Sequence, residues 1–342
     1  MKGYKYSLLL ILILAAMQLT GCSVPKNNDI TQIKIGVALY DQYDTYLSQL
    51  MDSFNEYVTD ERKRGTDIVV SVVSASQSQT KQNDQVQELI DSGCRVICVN
   101  LVDRTDPTII IDMARKANVP IVFFNRELVE SDLMQWEKLY YVGAYAFESG
   151  IMQGQLVAND FKEDETIDKN GDGIIQYFVL EGEAGHQDAI LRTEYAIDAL
   201  QNAGVKVDKE GYAIANFNRE QAQAKISQCI SDGMDDIEVI IANNDDMALG
   251  AIDAYEAAKI SRTKWPKIYG IDGTEEGLLA LMDGTMSGTV YNDKEGQAKA
   301  LFELALALAT DSDLSDLELI DSKYIRLPYS KVTSENVSDF ME

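Results

Sequence analysis

The sequence predicts an α/β fold of two doubly wound, parallel-sheet lobes. Three observations carry that expectation. Strand-like and helix-like segments alternate along the chain with short turns between them, which is the signature of βα repetition. The strands read as continuous apolar runs rather than as alternating ones, as expected where helices cover both faces of a parallel sheet. Removing a leader of residues 1–21 from the 342-residue sequence leaves 321, which is long for one core and suits two domains of roughly 150 residues each.

Taken in order, an apolar strand over 33–40 precedes an amphipathic helix over 46–59, and a strand over 67–75 precedes a helix over 83–92. A strand over 96–100 leads to a helix over 106–116, and the strand 120–125 ends in a loop. The pattern resumes after Ser149 with a helix, then a strand over 177–182, a helix over 189–202, a strand over 205–214 and a helix over 220–231. Strands over 239–243 and 267–272 alternate with helices over 246–258 and 274–283. Neither a short exact repeat nor a low-complexity tract interrupts this order.

The first residues address the chain outside the cytoplasm. Lys2 and Lys5 precede an apolar stretch, residues 8–17, that is too short to span a membrane and has the form of a signal peptide. Leu19-Thr20-Gly21-Cys22 then resembles a bacterial lipobox. Cleavage before Cys22 leaves a lipid-modified cysteine, with residues 22–32 as a polar tether. Loss of the two lysines takes the formal charge from −26 to −28, which argues against nucleic acid or an anionic membrane surface as partner. Cys94, Cys98 and Cys229 remain. The first two lie on one strand about 13 Å apart at ~3.3 Å per residue, too far to bridge, and all three read as small core residues.

One loop carries metal-binding spacing. In the run 168–176, Asp168, Asn170, Asp172 and Gln176 stand at the first, third, fifth and ninth positions with Gly173 at the sixth, the order in which an EF-hand loop wraps calcium. The Ile174 carbonyl takes the seventh place. The twelfth is Val179 rather than a bidentate Glu, and the chain continues as a strand instead of a helix. A hard cation needs six or seven oxygens, so the missing carboxylate must come from a distant segment. The bland alternative is an Asp/Asn/Gly-rich surface turn.

A second set of polar residues sits just past the carboxyl ends of the strands, where open parallel sheets bind ligands. Asp44 and Tyr46 follow the first strand, and Asn125 follows Val122-Phe123-Phe124. His186, Asp188 and Arg192 follow the strand 177–182, while Asn244, Asp272 and Asn292 follow later strands. Any one of them is explained as a turn residue or helix N-cap; their coincidence is not. Carboxylates accept, amides both donate and accept, and Arg192 offers a planar donor fork. That inventory satisfies vicinal hydroxyls, with Tyr46 and Phe217 as flat apolar faces for a pyranose. With His186 as the only histidine, sites built from several histidines are excluded.

Several segments together are similar to the bacterial galactose/glucose-binding proteins. They are Lys81-Gln82-Asn83-Asp84-Gln85, Asn100-Leu101-Val102-Asp103, Val122-Phe123-Phe124-Asn125, Tyr141-Val142-Gly143, Glu148-Ser149-Gly150, 182–188, 241–245 and 288–293. The resemblance covers residues 33–340 and implies a type I periplasmic-binding-protein fold. It implies an N-terminal lobe of 33–144 plus 292–328 and a C-terminal lobe of 145–291 plus 329–342, joined near Ala144, Asn292 and Pro328. It places sugar contacts on Asp44, Tyr46, Asn125, His186, Asp188, Arg192, Phe217, Asn244, Asp272 and Asn292. It places calcium on Asp168, Asn170, Asp172, the Ile174 carbonyl, Gln176 and, as the distant bidentate carboxylate, Glu238. Tyr46 and Phe217 stand where the family's enteric pattern has Phe and Trp.

The expected protein is therefore a monomeric, lipid-anchored receptor that closes on galactose or glucose and hands it to an ABC importer permease. A sensor presenting the closed form to a membrane chemoreceptor or kinase is the alternative. A glycosidase using two of Asp44, Asp188 and Asp272 is disfavoured, because no hydrolase motif is present and a site built to satisfy hydroxyls leaves no place for a leaving group. The leader and the absence of a basic helix-turn-helix exclude a repressor.

Overall fold

The computed structural model describes residues 32–341. The leader, Cys22 and nearly all of the tether lie outside the described residues. Five parallel strands, β1 (Ile33–Leu39), β2 (Ile68–Ser74), β3 (Val96–Val99), β4 (Ile121–Phe124) and β5 (Leu139–Gly143), form the first sheet in the order β5-β4-β3-β1-β2. Four more, β6 (Ile174–Glu181), β7 (Lys206–Ile214), β8 (Val239–Ala242) and β9 (Lys267–Tyr269), form the second in the order β7-β6-β8-β9. Both sheets thus wind outward from their first strand in the same way, and each has a point where the winding reverses, between β1 and β3 and between β6 and β8. Those are the points at which such sheets open a crevice for a ligand.

The end of the chain belongs to both sheets. The strand β10 (Thr289–Asn292) pairs antiparallel with β12 (Tyr329–Val332) and is bridged to the β9 side through Tyr269–Gly288 and Asp272–Tyr291. Between them, the helix Lys294–Ala309 packs on the first sheet and on the helix Thr45–Lys63, and β11 (Tyr324–Arg326) adds to the β5 edge. The chain accordingly passes from one sheet to the other after Gly143, after Asn292 and after Arg326.

Each sheet is sandwiched between two apolar layers, which is why its strands are apolar on both faces. On the first sheet, Ile35, Val37, Leu50, Phe54 and Leu301 form one layer and Ile97, Val99, Ile110 and Phe123 the other. On the second, Phe178, Leu180, Ile226 and Ile240 face Val157, Ile175, Val179 and Leu200 across the strands. Two glycines let the helices Ala146–Glu163 and Gln187–Asn202 touch: a Cβ on Gly154 would lie 2.2 Å from the Ala196 carbonyl oxygen, and one on Gly150 2.7 Å from that of Arg192.

Most elements fall where the sequence places them, within a few residues. The strand β5, the short helix Glu130–Leu133, the helix Lys294–Ala309 and the strands β11 and β12 are additions, and the region after Phe124 is therefore not simply a loop. Short segments such as β5 and β11 gain their strand character from pairing with distant neighbours rather than from a local pattern. The three cysteines are free; Cys94 and Cys98 are buried, whereas Cys229 is only half-buried. Among the described residues, no helix is long and apolar enough to cross a membrane.

Candidate functional site

Nine of the ten residues expected to meet a sugar line one pocket at the carboxyl ends of the two sheets: Asp44, Tyr46, Asn125, His186, Asp188, Arg192, Phe217, Asn244 and Asp272. Arg126, which the sequence reading does not single out, lines it too. The tenth, Asn292, is buried away from the wall and accepts a hydrogen bond from Gln297 Nε2 at 2.6 Å. The space between the atoms, mouth included, is about 360 Å³.

The same side chains cap helices and face the pocket. Asp44 precedes the helix Thr45–Lys63; its Oδ1 accepts from Leu47 N at 2.8 Å and its Oδ2 from the Tyr40 hydroxyl at 2.7 Å. Asn244 accepts from Met247 N at 3.0 Å through Oδ1, and the opposite end of its amide remains available to donate. His186 Nδ1 accepts from Asp188 N at 3.2 Å, which assigns the ring proton to Nε2 as a donor. Burial holds the imidazole well below its ordinary pKa, reinforced by Arg126, Arg192 and Arg104, so the ring is neutral.

Three wall residues adopt left-handed backbone: Asn125 (φ 60°), Phe217 (φ 54°) and Asp272 (φ 113°). Such conformations cost energy in non-glycine residues and persist where the surroundings impose them. Asn125 is held by the Tyr141 hydroxyl on its carbonyl at 2.8 Å and by Asn100 Nδ2 on its Oδ1 at 3.1 Å; Gln82 in turn donates to the Asn100 carbonyl at 2.7 Å. Phe217 packs on Gly182 so closely that a Cβ there would fall 2.1 Å from the ring, and its edge meets His186 at a centroid distance of 5.2 Å. Backbone hydrogen bonds to Val290 and Asn292 hold Asp272.

The electrostatics centre on Arg192 and Asp272, both buried and 3.5 Å apart. Arg192 Nη1 donates to the Asn243 carbonyl at 2.7 Å, while its buried Nε has no partner. Burial pushes the Asp272 carboxyl well above its usual range, against the pull of Arg192. The Asp188 carboxyl is raised in the same way. The Tyr46 hydroxyl is likewise buried without a partner. A pocket with carboxylates, amides, a neutral imidazole and an under-satisfied guanidinium is incomplete without a polar ligand or water. Two polar contacts join the lobes across its rim: Arg126 Nη2 to Glu183 Oε1 at 2.9 Å, and Thr45 Oγ1 to Asp246 Oδ2 at 2.8 Å.

The loop before β6 is a separate feature. Asp168 accepts from the backbone N–H groups of Gly171, Asp172 and Gly173, and both glycines have positive φ, 75° and 74°. Glu238 lies against the loop, accepting from Lys169 N at 2.6 Å and Gln176 N at 3.2 Å. The amide nitrogens of Asn170 and Gln176 point at Asp172 Oδ2, at 3.0 and 3.1 Å, and Asn170 Nδ2 also meets Gln176 Oε1. Ile174 donates its N–H to Asp172 and opens β6. Among the described residues no group of three or more His, Cys, Asp or Glu is placed to hold a metal ion. The donor set itself is oxygen-only once the amides turn over, which suits a hard cation.

Two α/β lobes that close a polar pocket between their strand ends define a ligand-binding protein of the type I periplasmic-binding fold. The chain belongs to the periplasmic binding protein family, whose domain model matches residues 35–313. It is 36% identical over 313 residues to a D-galactose/methyl-galactoside binding periplasmic protein of Haemophilus influenzae, covering 90% of this chain and 92% of that one. A putative rhizopine-binding protein of Rhizobium meliloti is 30% identical over 303 residues, 88% of this chain and 89% of that protein. A solved ABC transporter solute binding protein of Bacillus halodurans, with bound myo-inositol, superimposes with a TM-score of 0.76 at 28% identity, over 92% of this chain and 99% of that one. The family is one of extracytoplasmic binding proteins, not of enzymes.

Proposed function

We propose that this chain is a lipid-anchored receptor that binds galactose and glucose between its lobes and delivers the sugar to an ABC importer. The pocket carries the reading: nine residues expected to contact a hexose converge there from both sheets. Asp44, Asp188 and Asp272 accept from sugar hydroxyls; Arg192, Asn125, Asn244 and His186 Nε2 donate to them. Tyr46 and Phe217 supply the apolar faces. The galactose-binding name of the Haemophilus relative supports the choice of hexose, and the polyol in the Bacillus structure supports a polyhydroxylated ligand. Closure of the lobes on the sugar is a population shift toward the form in which both contact it. Small-angle scattering should show a smaller radius of gyration with saturating galactose or glucose than with ribose; equal radii would sink the reading.

Calcium is proposed as a structural ion held by Asp168, Asn170, Asp172, the Ile174 carbonyl, Gln176 and Glu238. The contact of Glu238 with the loop supports it, since it brings the distant carboxylate to the other donors. Cys22 is proposed as the lipid-bearing residue. Cys22→Ala should abolish labelling by a fatty-acid analogue in the membrane fraction, and equal label on the variant would exclude the anchor.

A further inference from the structure

Both carboxylate oxygens of Asp44 are engaged from within the first lobe, and one of those contacts leads to the second lobe. Tyr40, at the end of β1, donates its hydroxyl to Asp44 Oδ2 at 2.7 Å. The guanidinium of Arg126, after β4, lies over the Tyr40 ring, its central carbon 3.5 Å from the ring centroid. Arg126 is buried; one terminal nitrogen donates to the Val102 carbonyl at 3.1 Å, and the other reaches Glu183 Oε1 at 2.9 Å. Glu183 follows β6 and therefore belongs to the opposite lobe.

We infer that Tyr40 is a positioning residue for Asp44 and that lobe closure completes its action through Glu183 and Arg126. This inference rests on the hexose reading of the pocket. A carboxylate has about four lone-pair directions; Leu47 N and the Tyr40 hydroxyl take two and fix its plane, leaving the others for ligand hydroxyls. Opening removes Glu183, so the Arg126 guanidinium keeps only the Val102 carbonyl of its two hydrogen-bond partners. Arg126 then loses the anchor that presses it on Tyr40. The orientation of Asp44 and the closed state stabilise each other, so the arrangement slows ligand release rather than speeding capture.

The test is stopped-flow binding of D-galactose to the full-length mature protein and to Tyr40→Phe, Glu183→Gln and the double variant. Phe keeps the ring under Arg126, and Gln keeps an oxygen acceptor of the same size at a half-buried position, so both variants should fold, as their melting curves without sugar would show. Each single variant should release galactose about tenfold faster, the size of one charge-assisted hydrogen bond, with an unchanged association rate. The double variant should be little worse than the worse single one, because both act along one chain of contacts. Unchanged release in either single variant, or losses that multiply in the double, would overturn the relay while leaving the hexose reading intact. If the wild-type protein binds no hexose, both fall together.

Discussion

Asp272→Asn should weaken hexose binding by about a hundredfold. The change keeps the shape of the side chain and removes its charge. A charge-assisted hydrogen bond from a sugar hydroxyl is worth about 1.5–3 kcal/mol, and for a carboxylate as buried as this one the upper end, about 3 kcal/mol or two decades, is the expected loss. The variant also takes the ionic partner from Arg192, which has an unpartnered Nε already and no other carboxylate within salt-bridge distance among the described residues. Leaving one member of a buried pair uncompensated is costly, so the melting temperature should fall as well. Calorimetric titration checks the affinity directly; a dissociation constant within threefold of wild type would show that no hydroxyl engages this residue.

Removing calcium should lower the melting temperature by roughly 10 °C while changing sugar affinity little. A metal that binds only the folded state stabilises by mass action, about 4 kcal/mol at a thousandfold excess over its dissociation constant. For a domain of this size 1 kcal/mol corresponds to about 2–4 °C. The loop and Glu238 share no residue with the pocket, so stability and binding should separate. Burial pushes the Glu238 carboxyl up in the absence of a cation, with the backbone N–H groups around it opposing the shift. A cation beside it would favour the ionised form. Asp168→Ala should mimic chelation. Differential scanning fluorimetry with and without a chelator decides the matter, and identical melting curves after complete calcium removal would contradict the assignment.

Much of the fold was legible because the periodicities are strong: long apolar strands alternate with helices whose caps, such as Ser78, Asn218 and Thr274, are ordinary capping residues. What the sequence concealed lies in long-range pairing. The short strand β5 exists because it pairs with β4 on one side and β11 on the other, and β11 because it pairs with β5. In the pocket, Asp44 and Asn244 each cap a helix through Oδ1 and also line the cleft, so the turn-and-cap reading and the ligand reading are compatible. The left-handed backbone of Asn125, Phe217 and Asp272 has no local signature. Tyr40 and Arg126 have no local signature either, since each is an ordinary residue past a strand end until Glu183 of the other lobe reaches Arg126. The approach of Glu238 to a loop some 60 residues earlier came only through family resemblance, because spacing along the chain carries no trace of it.

The central claim is that one hexose binds between the lobes. Isothermal titration of the purified mature protein with D-galactose, D-glucose, D-ribose and myo-inositol tests it most directly. The account predicts saturable one-to-one heats for galactose and glucose, with ribose and inositol binding far more weakly. Heat from ribose or inositol, with none from either hexose, would contradict it.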